Sequence, residues 1–143
     1  MPSLVTERIE SVKAGVTGAA AFAVAELVFS IIHLVLSTKG SVSTLIDGTW
    51  LVQLAIGAVS GFLFGVTYRY VIRGDRNTHL NDGAVLAFGL VRGLAVVEQH
   101  LVLSELLSVL FLVTQSIVCF AIARLVLDLA IARKLIKPFI NEQ

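Results

Sequence analysis

The chain has 143 residues, of which 57% are hydrophobic and 15% charged, and its mean hydropathy is +0.91. Soluble domains run nearer to about 25% charged and about 45–50% apolar, so a chain this short has no soluble core able to hide the surplus. A formal net charge of only +1 removes the charge excess of a disordered segment or a nucleic-acid binder. The composition predicts a small polytopic membrane protein.

About 20 apolar residues carry a helix across about 30 Å of hydrocarbon. Four windows meet that requirement. The first, residues 14–36, is followed by the polar run Ser37-Thr38-Lys39-Gly40-Ser41. It is longer than a signal-peptide core, and its small-residue runs lie inside it, so it is expected to remain in the mature protein. The second, residues 50–72, leads into Arg73-Gly74-Asp75-Arg76-Asn77-Thr78-His79. The third, residues 84–103, carries Arg92 and Glu98 and begins behind Asn81 and Asp82, which suit a helix cap. The fourth covers residues 106–127. Its Cys119 is the one cysteine of the chain, so no intrachain disulfide can form.

The fold expected is therefore all-α: a four-helix transmembrane bundle forming one domain over residues 1–143. Lys and Arg set its orientation, because they concentrate in short inner loops. Arg8 and Lys13 precede the first span, Arg69, Arg73 and Arg76 surround the loop after the second, and Arg133, Lys134 and Lys137 follow the fourth. The two alternate loops hold Lys39 alone. This predicts both termini on the inside, with Trp50, Tyr68 and Tyr70 as interfacial anchors. Leu4, Val5, Ile9 and Val12 alternate with charges before the first span, and Leu135, Ile136 and Phe139 do so after the fourth. Both segments suit short interfacial helices.

Small residues at four-residue spacing let helices approach closely in lipid. Gly57, Gly61 and Gly65 form two overlapping GxxxG repeats in the second span, with Gln53 on the same face, and Gly89 and Gly93 repeat the pattern in the third. Ala14 and Gly18 do so in the first. These faces serve either a tight monomeric bundle or a seam for a homodimer or partner helix. Superposing Gly15 on Gly83, or Arg69 on Arg124, aligns no shared motif, so no internal duplication is read.

Charges inside a bilayer cost several kcal/mol unless paired or hydrated, which makes them the first functional suspects. Glu26 lies roughly 18 Å into the first span and Arg92 roughly 12 Å into the third from the same side, at 1.5 Å per residue. An arginine side chain covers the difference, so a Glu26–Arg92 pair is expected between these helices. Its alternative role is a transport site in which a desolvated Glu26 exchanges a proton for substrate. Ser30, His33 and Ser37 continue the face of Glu26 and are expected to look inward. His33, Glu98, His100 and Glu105 fall at similar depth, yet their spacing has no specificity as a metal site. No metal, cofactor or catalytic residue is assigned, since the chain lacks a phosphate-cradling glycine loop, HExxH and GxSxG, and no enzymatic role is expected. Tyr68, Arg69, Arg73 and Arg76 form a basic aromatic inner edge suited to lipid headgroups or an acidic partner surface.

The segments Tyr68-Arg69-Tyr70-Val71-Ile72-Arg73-Gly74-Asp75, Leu80-Asn81-Asp82-Gly83 and Ala87-Phe88-Gly89-Leu90-Val91-Arg92-Gly93 resemble small membrane proteins of cyanobacteria and plastids, a group without an assigned activity. The resemblance implies a thylakoid or bacterial inner membrane address and an accessory or assembly role beside a photosynthetic complex. The architecture is also similar to the small multidrug resistance exporters, whose first span carries a carboxylate that binds cation and proton. The stretch from Gly18 to Glu26 suits that likeness, while Arg92, the longer loops and the interfacial Trp50 depart from it. The expected function is thus a non-enzymatic accessory protein whose partners are the lipid bilayer and another membrane protein or itself. The alternative is a small dimeric proton-coupled transporter.

Overall fold

A computed structural model describes residues 3–36, 48–72, 78–99 and 106–139. They form four helices, α1 (Leu4–Leu36), α2 (Gly48–Val71), α3 (Thr78–Gln99) and α4 (Leu106–Ala132), and among the described residues there is no strand. Each helix is long and apolar enough to cross a membrane. The chain is all-α, and its four apolar helices fit an integral multi-pass membrane protein.

The helix bounds differ from the sequence windows at the ends. The segment before Ala14 is not a separate interfacial helix. It forms the first turns of α1, which has 33 residues and a length of about 50 Å. Ser3 starts this helix by accepting the Thr6 amide on its hydroxyl at 3.3 Å. α3 begins at Thr78, so Asn81 and Asp82 lie in its opening turns and do not cap it. The second expected interfacial helix is also absent: α4 ends at Ala132 and the chain turns back. Lys134 adopts a left-handed conformation, φ 58°, while its amide donates to the Ile131 carbonyl at 2.9 Å and the Leu135 amide to that of Ala130 at 2.9 Å. This is a Schellman cap. It directs Ile136 into the bundle, where 2% of its surface remains exposed.

Consecutive helices are antiparallel neighbours, and the starts of α1 and α3 share one end with the finishes of α2 and α4. α1 packs closely on α2 and α3 on α4, with α1 against α4, while α2 touches α3 and α4 lightly and about equally, so the bundle is a skewed four-sided one whose short diagonal joins α2 and α4. α1 and α3 therefore lie on a diagonal. Glycine explains the two close pairs. A methyl added at Gly61 would lie 2.8 Å from the Gly18 carbonyl oxygen, and one at Gly65 would strike the Ala14 carbonyl. On the other pair, methyls at Gly89 and Gly93 would each lie 2.8 Å from a backbone carbon of α4, at Ile117 and Val113. The glycine faces are used up inside the chain, so the surface left outside is built of residues such as Leu51, Val59, Val91 and Leu125.

The core occupies the half of the bundle nearer the termini. Buried positions run from Glu10 to Ala25 on α1, from Gly57 to Arg69 on α2 and from Ser116 to Ala130 on α4. At its centre each helix contributes one phenylalanine: Phe22, Phe64, Phe88 and Phe120. Phe22 and Phe120 lie 4.7 Å apart between ring centroids, Phe64 and Phe120 5.2 Å, Phe64 and Phe88 5.4 Å, and Phe88 and Phe120 5.7 Å. The rings are mostly tilted, as aromatic quadrupoles prefer, and together they form a continuous apolar layer across the bundle.

Candidate functional site

Four residues beyond the aromatic ring in α1 and α3 stand the two mid-membrane charges. Arg92 Nη2 donates to Glu26 Oε1 at 2.9 Å and to the Gln53 carbonyl on α2 at 3.3 Å, and the guanidinium carbon lies 5.3 Å from the centre of the Phe22 ring. The pair expected from span depth is present, although it joins the two helices of the bundle that touch each other least. Gly57 makes this possible. A side chain there would strike Glu26 Oε2 and would lie 2.7 Å from the Phe22 ring and 3.1 Å from Arg92 Nη2. The glycine read as a packing position thus also opens the passage through which the arginine reaches.

The pair borders a small cavity of about 130 Å³, whose wall is completed by Gln53 of α2 and Gln115, Ser116 and Cys119 of α4. Glu26 Oε2 and Ser116 Oγ are buried there without a hydrogen-bond partner among the described residues. The carboxylate is therefore held on one oxygen by arginine and left open on the other. Its side chain keeps 18% of its surface exposed, against 8% for Arg92.

The rest of the polar stripe on α1 does not join this site. Ser30 returns its hydroxyl to the Glu26 carbonyl of its own helix at 2.9 Å, and His33 is exposed. Burial on α1 stops at Ala25, so the face that looks inward at Glu26 has left the packed core two turns later. Ser37, His100 and Glu105 lie outside the described residues, as do Arg73 and Arg76. Among the described residues no group of three His, Cys, Asp or Glu side chains is placed to hold a metal ion.

Tyr68 and Arg69, expected on a lipid- or partner-facing edge, are instead buried, with 0% and 1% of their surface exposed. Arg69 is the central clamp of the terminal end. Its Nη2 pairs with Glu7 Oε2 at 2.5 Å, Nη1 donates to Ser11 Oγ at 2.7 Å and to the Glu7 carbonyl at 3.2 Å, and Nε donates to the Lys137 carbonyl at 2.9 Å. Glu10 strengthens the same junction by accepting the Lys137 amide at 3.0 Å while pairing with Lys13 at 2.8 Å. Tyr70 is partly exposed but bonds Ser11 and sets its ring at a tilt to that of Phe139, 5.3 Å between centroids. On the opposite side Tyr68 donates to Asp128 at 2.7 Å, and Arg124 pairs with Asp82 of α3 and with Asp128 at 3.6 Å. Burial costs a cation dearly unless it is paired and hydrogen-bonded, and each of the three Arg69 nitrogens has a partner, drawn from two other segments.

Sequence reasoning missed Glu7, Glu10, Asp82, Arg124 and Asp128 as members of these networks, and it missed the aromatic layer. One signal was present. Phe22, Phe64, Phe88 and Phe120 each stand four residues before a polar interior residue: Glu26, Tyr68, Arg92 and Arg124. In comparisons with known proteins no family model, no curated protein and no solved structure matches the chain.

Proposed function

We propose that this protein is a non-enzymatic accessory or assembly component of a thylakoid or bacterial inner membrane, which packs against a larger membrane-protein complex. The observation that carries the reading is the Glu26–Arg92 pair. Both charges at mid-bilayer depth are bonded to each other, and Arg92 is held further by the Gln53 carbonyl and the Phe22 ring. The four phenylalanine rings lie between this pair and the terminal end and form an apolar layer there, which favours a structural role for the pair. The bundle has its aliphatic exterior left for contact with lipid and other proteins. The likeness of residues 68–75, 80–83 and 87–93 to cyanobacterial and plastid proteins supports a photosynthetic membrane as its address, and the lysine and arginine bias supports an inner placement of both termini.

Purification of the native protein from its own membrane in a mild detergent tests this reading. Migration with a large complex is expected. A lone homodimer that moves a cation across proteoliposomes would overturn it.

One observation favours the second reading, a dimeric proton-coupled transporter. Glu26 lines a cavity, and its buried Oε2 has no hydrogen-bond partner among the described residues. At about 130 Å³ that cavity is well below the range of about 300–1,000 Å³ for drug-sized sites, which limits such a cargo to a proton or small cation. Replacing Arg92 while keeping Glu26 separates the two. Normal accumulation in the membrane with altered ion flux supports transport, whereas loss of the folded protein supports a structural pair.

A further inference from the structure

A second, larger concavity lies away from the ion pair. Between the first turns of α1 and the last turns of α4 runs a groove of about 730 Å³, within the range of small-molecule sites of about 300–1,000 Å³. Val12 and Val16 form one wall, Val126 and Leu129 the other, and the buried Ile136 of the reversed tail contributes to its base. Arg8, Lys13 and Arg133 stand among these aliphatic side chains.

The charges are left uncompensated for a structural reason. The nearby carboxylates are drawn inward, Glu7 to Arg69 and Glu10 to the Lys137 amide, and only Lys13 recovers a share of Glu10. Arg8 and Arg133 are exposed and make no ion pair among the described residues. From Arg8 to Thr17 the groove follows α1 for about 13 Å, close to the hydrocarbon depth of one leaflet, about 15 Å. It is therefore cationic at the membrane edge and aliphatic below it. An anionic phospholipid has the complementary order, a phosphate above an acyl chain, and guanidinium groups bond phosphate oxygens strongly.

We propose that the α1–α4 groove binds one anionic phospholipid, with its phosphate at Arg8 and Arg133 and an acyl chain between Val12 and Val16 on one side and Val126 and Leu129 on the other. The proposal rests on the membrane placement given above and is independent of any partner complex. A protein that purifies alone removes the accessory role and leaves the lipid site untouched.

The full chain, purified in mild detergent and supplied with phosphatidylglycerol or phosphatidylcholine, is examined by native mass spectrometry. Retention of one phosphatidylglycerol and release of phosphatidylcholine are expected. The double substitution Arg8→Gln/Arg133→Gln is expected to weaken retention about 25-fold, from two surface cations each worth about fivefold, with thermal unfolding unchanged. Leu129→Trp, which fills the groove and leaves both arginines, is expected to expel the lipid as well. Equal retention of the two lipids, or no response to the double substitution, overturns the proposal. So does displacement of the lipid by millimolar inorganic phosphate, which would make the site one for free anions. A lipid-free homodimer that the double substitution dissociates would assign the groove to a second copy of the chain instead.

Discussion

Arg92 on α3 reaches Glu26 on α1 at 2.9 Å across the long diagonal of the bundle, where the two helices make little backbone contact. The side chains span a gap that Gly57 of α2 keeps open. Register between diagonal helices is thereby fixed by a charge pair, while register between neighbours is fixed by glycine contacts.

Removing one member of this pair should cost more than removing both. Arg92→Ala leaves a carboxylate inside the membrane with no cation, a loss of about 3–5 kcal/mol by the usual cost of breaking a buried pair. The double variant Glu26→Gln/Arg92→Gln is expected to recover most of that. Thermal unfolding in detergent of the wild type, the single and the double variant measures the difference. A double variant no more stable than Arg92→Ala would contradict a structural pair.

Gly57 and Gly83 provide a matched comparison. A methyl at Gly57 collides with Glu26 and Phe22, whereas one at Gly83 meets nothing within 4 Å. Gly57→Ala should destabilise the bundle by about 1–3 kcal/mol, as overpacking does, and Gly83→Ala should leave it unchanged or slightly more stable. Membrane accumulation together with the unfolding temperature checks both.

Arg69→Lys should behave nearly as badly as Arg69→Ala. A guanidinium serves Glu7, Ser11 and the Lys137 carbonyl from one planar fork, and a lysine ammonium is a single point that cannot meet all three directions. Limited proteolysis is the readout, with cleavage after Ala132 expected in both variants and not in the wild type.

Lys134→Gly should stabilise the protein. A side chain in the left-handed conformation costs about 1 kcal/mol, which glycine does not incur. An increase of that order in unfolding free energy, with the groove residues untouched, is the expected result.

Phe64→Ala should be the most damaging change in the aromatic layer. Phe64 is fully buried and touches the rings of Tyr68, Phe88 and Phe120, and such truncations cost about 3–5 kcal/mol. Unfolding in detergent measures the loss, and a cost near zero would show that the layer adds little to stability.

The span count and the Glu26–Arg92 pair were legible in the sequence because each rests on one-dimensional arithmetic: apolar length, and the depth of two opposite charges on helices that run the same way. The glycines were legible as smooth faces. Their partners were not, since whether Gly61 meets Gly18 or another chain depends on how the helices are arranged around one another. Arg69 illustrates the harder case. At the end of an apolar window a cation reads as a headgroup contact, and its burial follows only when Glu7 and Lys137, distant in sequence, are folded over it. His33 failed for the opposite reason: helical periodicity placed it on the face of Glu26, but α1 leaves the packed core before reaching it. The phenylalanines were visible as a spacing of four before each polar residue, and only the four helices together turn that spacing into a layer.

The reversed tail has a consequence for the order in which the chain can be assembled. Arg69 is translated with the second helix, yet the carbonyl that completes its bonds belongs to Lys137, which follows the fourth. During synthesis Arg69 can pair with Glu7 and Ser11 of the first helix, but its Nε waits for Lys137, and the terminal end closes only when the last helix has entered the membrane and its cap has turned the chain back beneath the bundle. Insertion and final locking are thus separate events, and the second is triggered by the residues that leave the ribosome last among those that form the clamp.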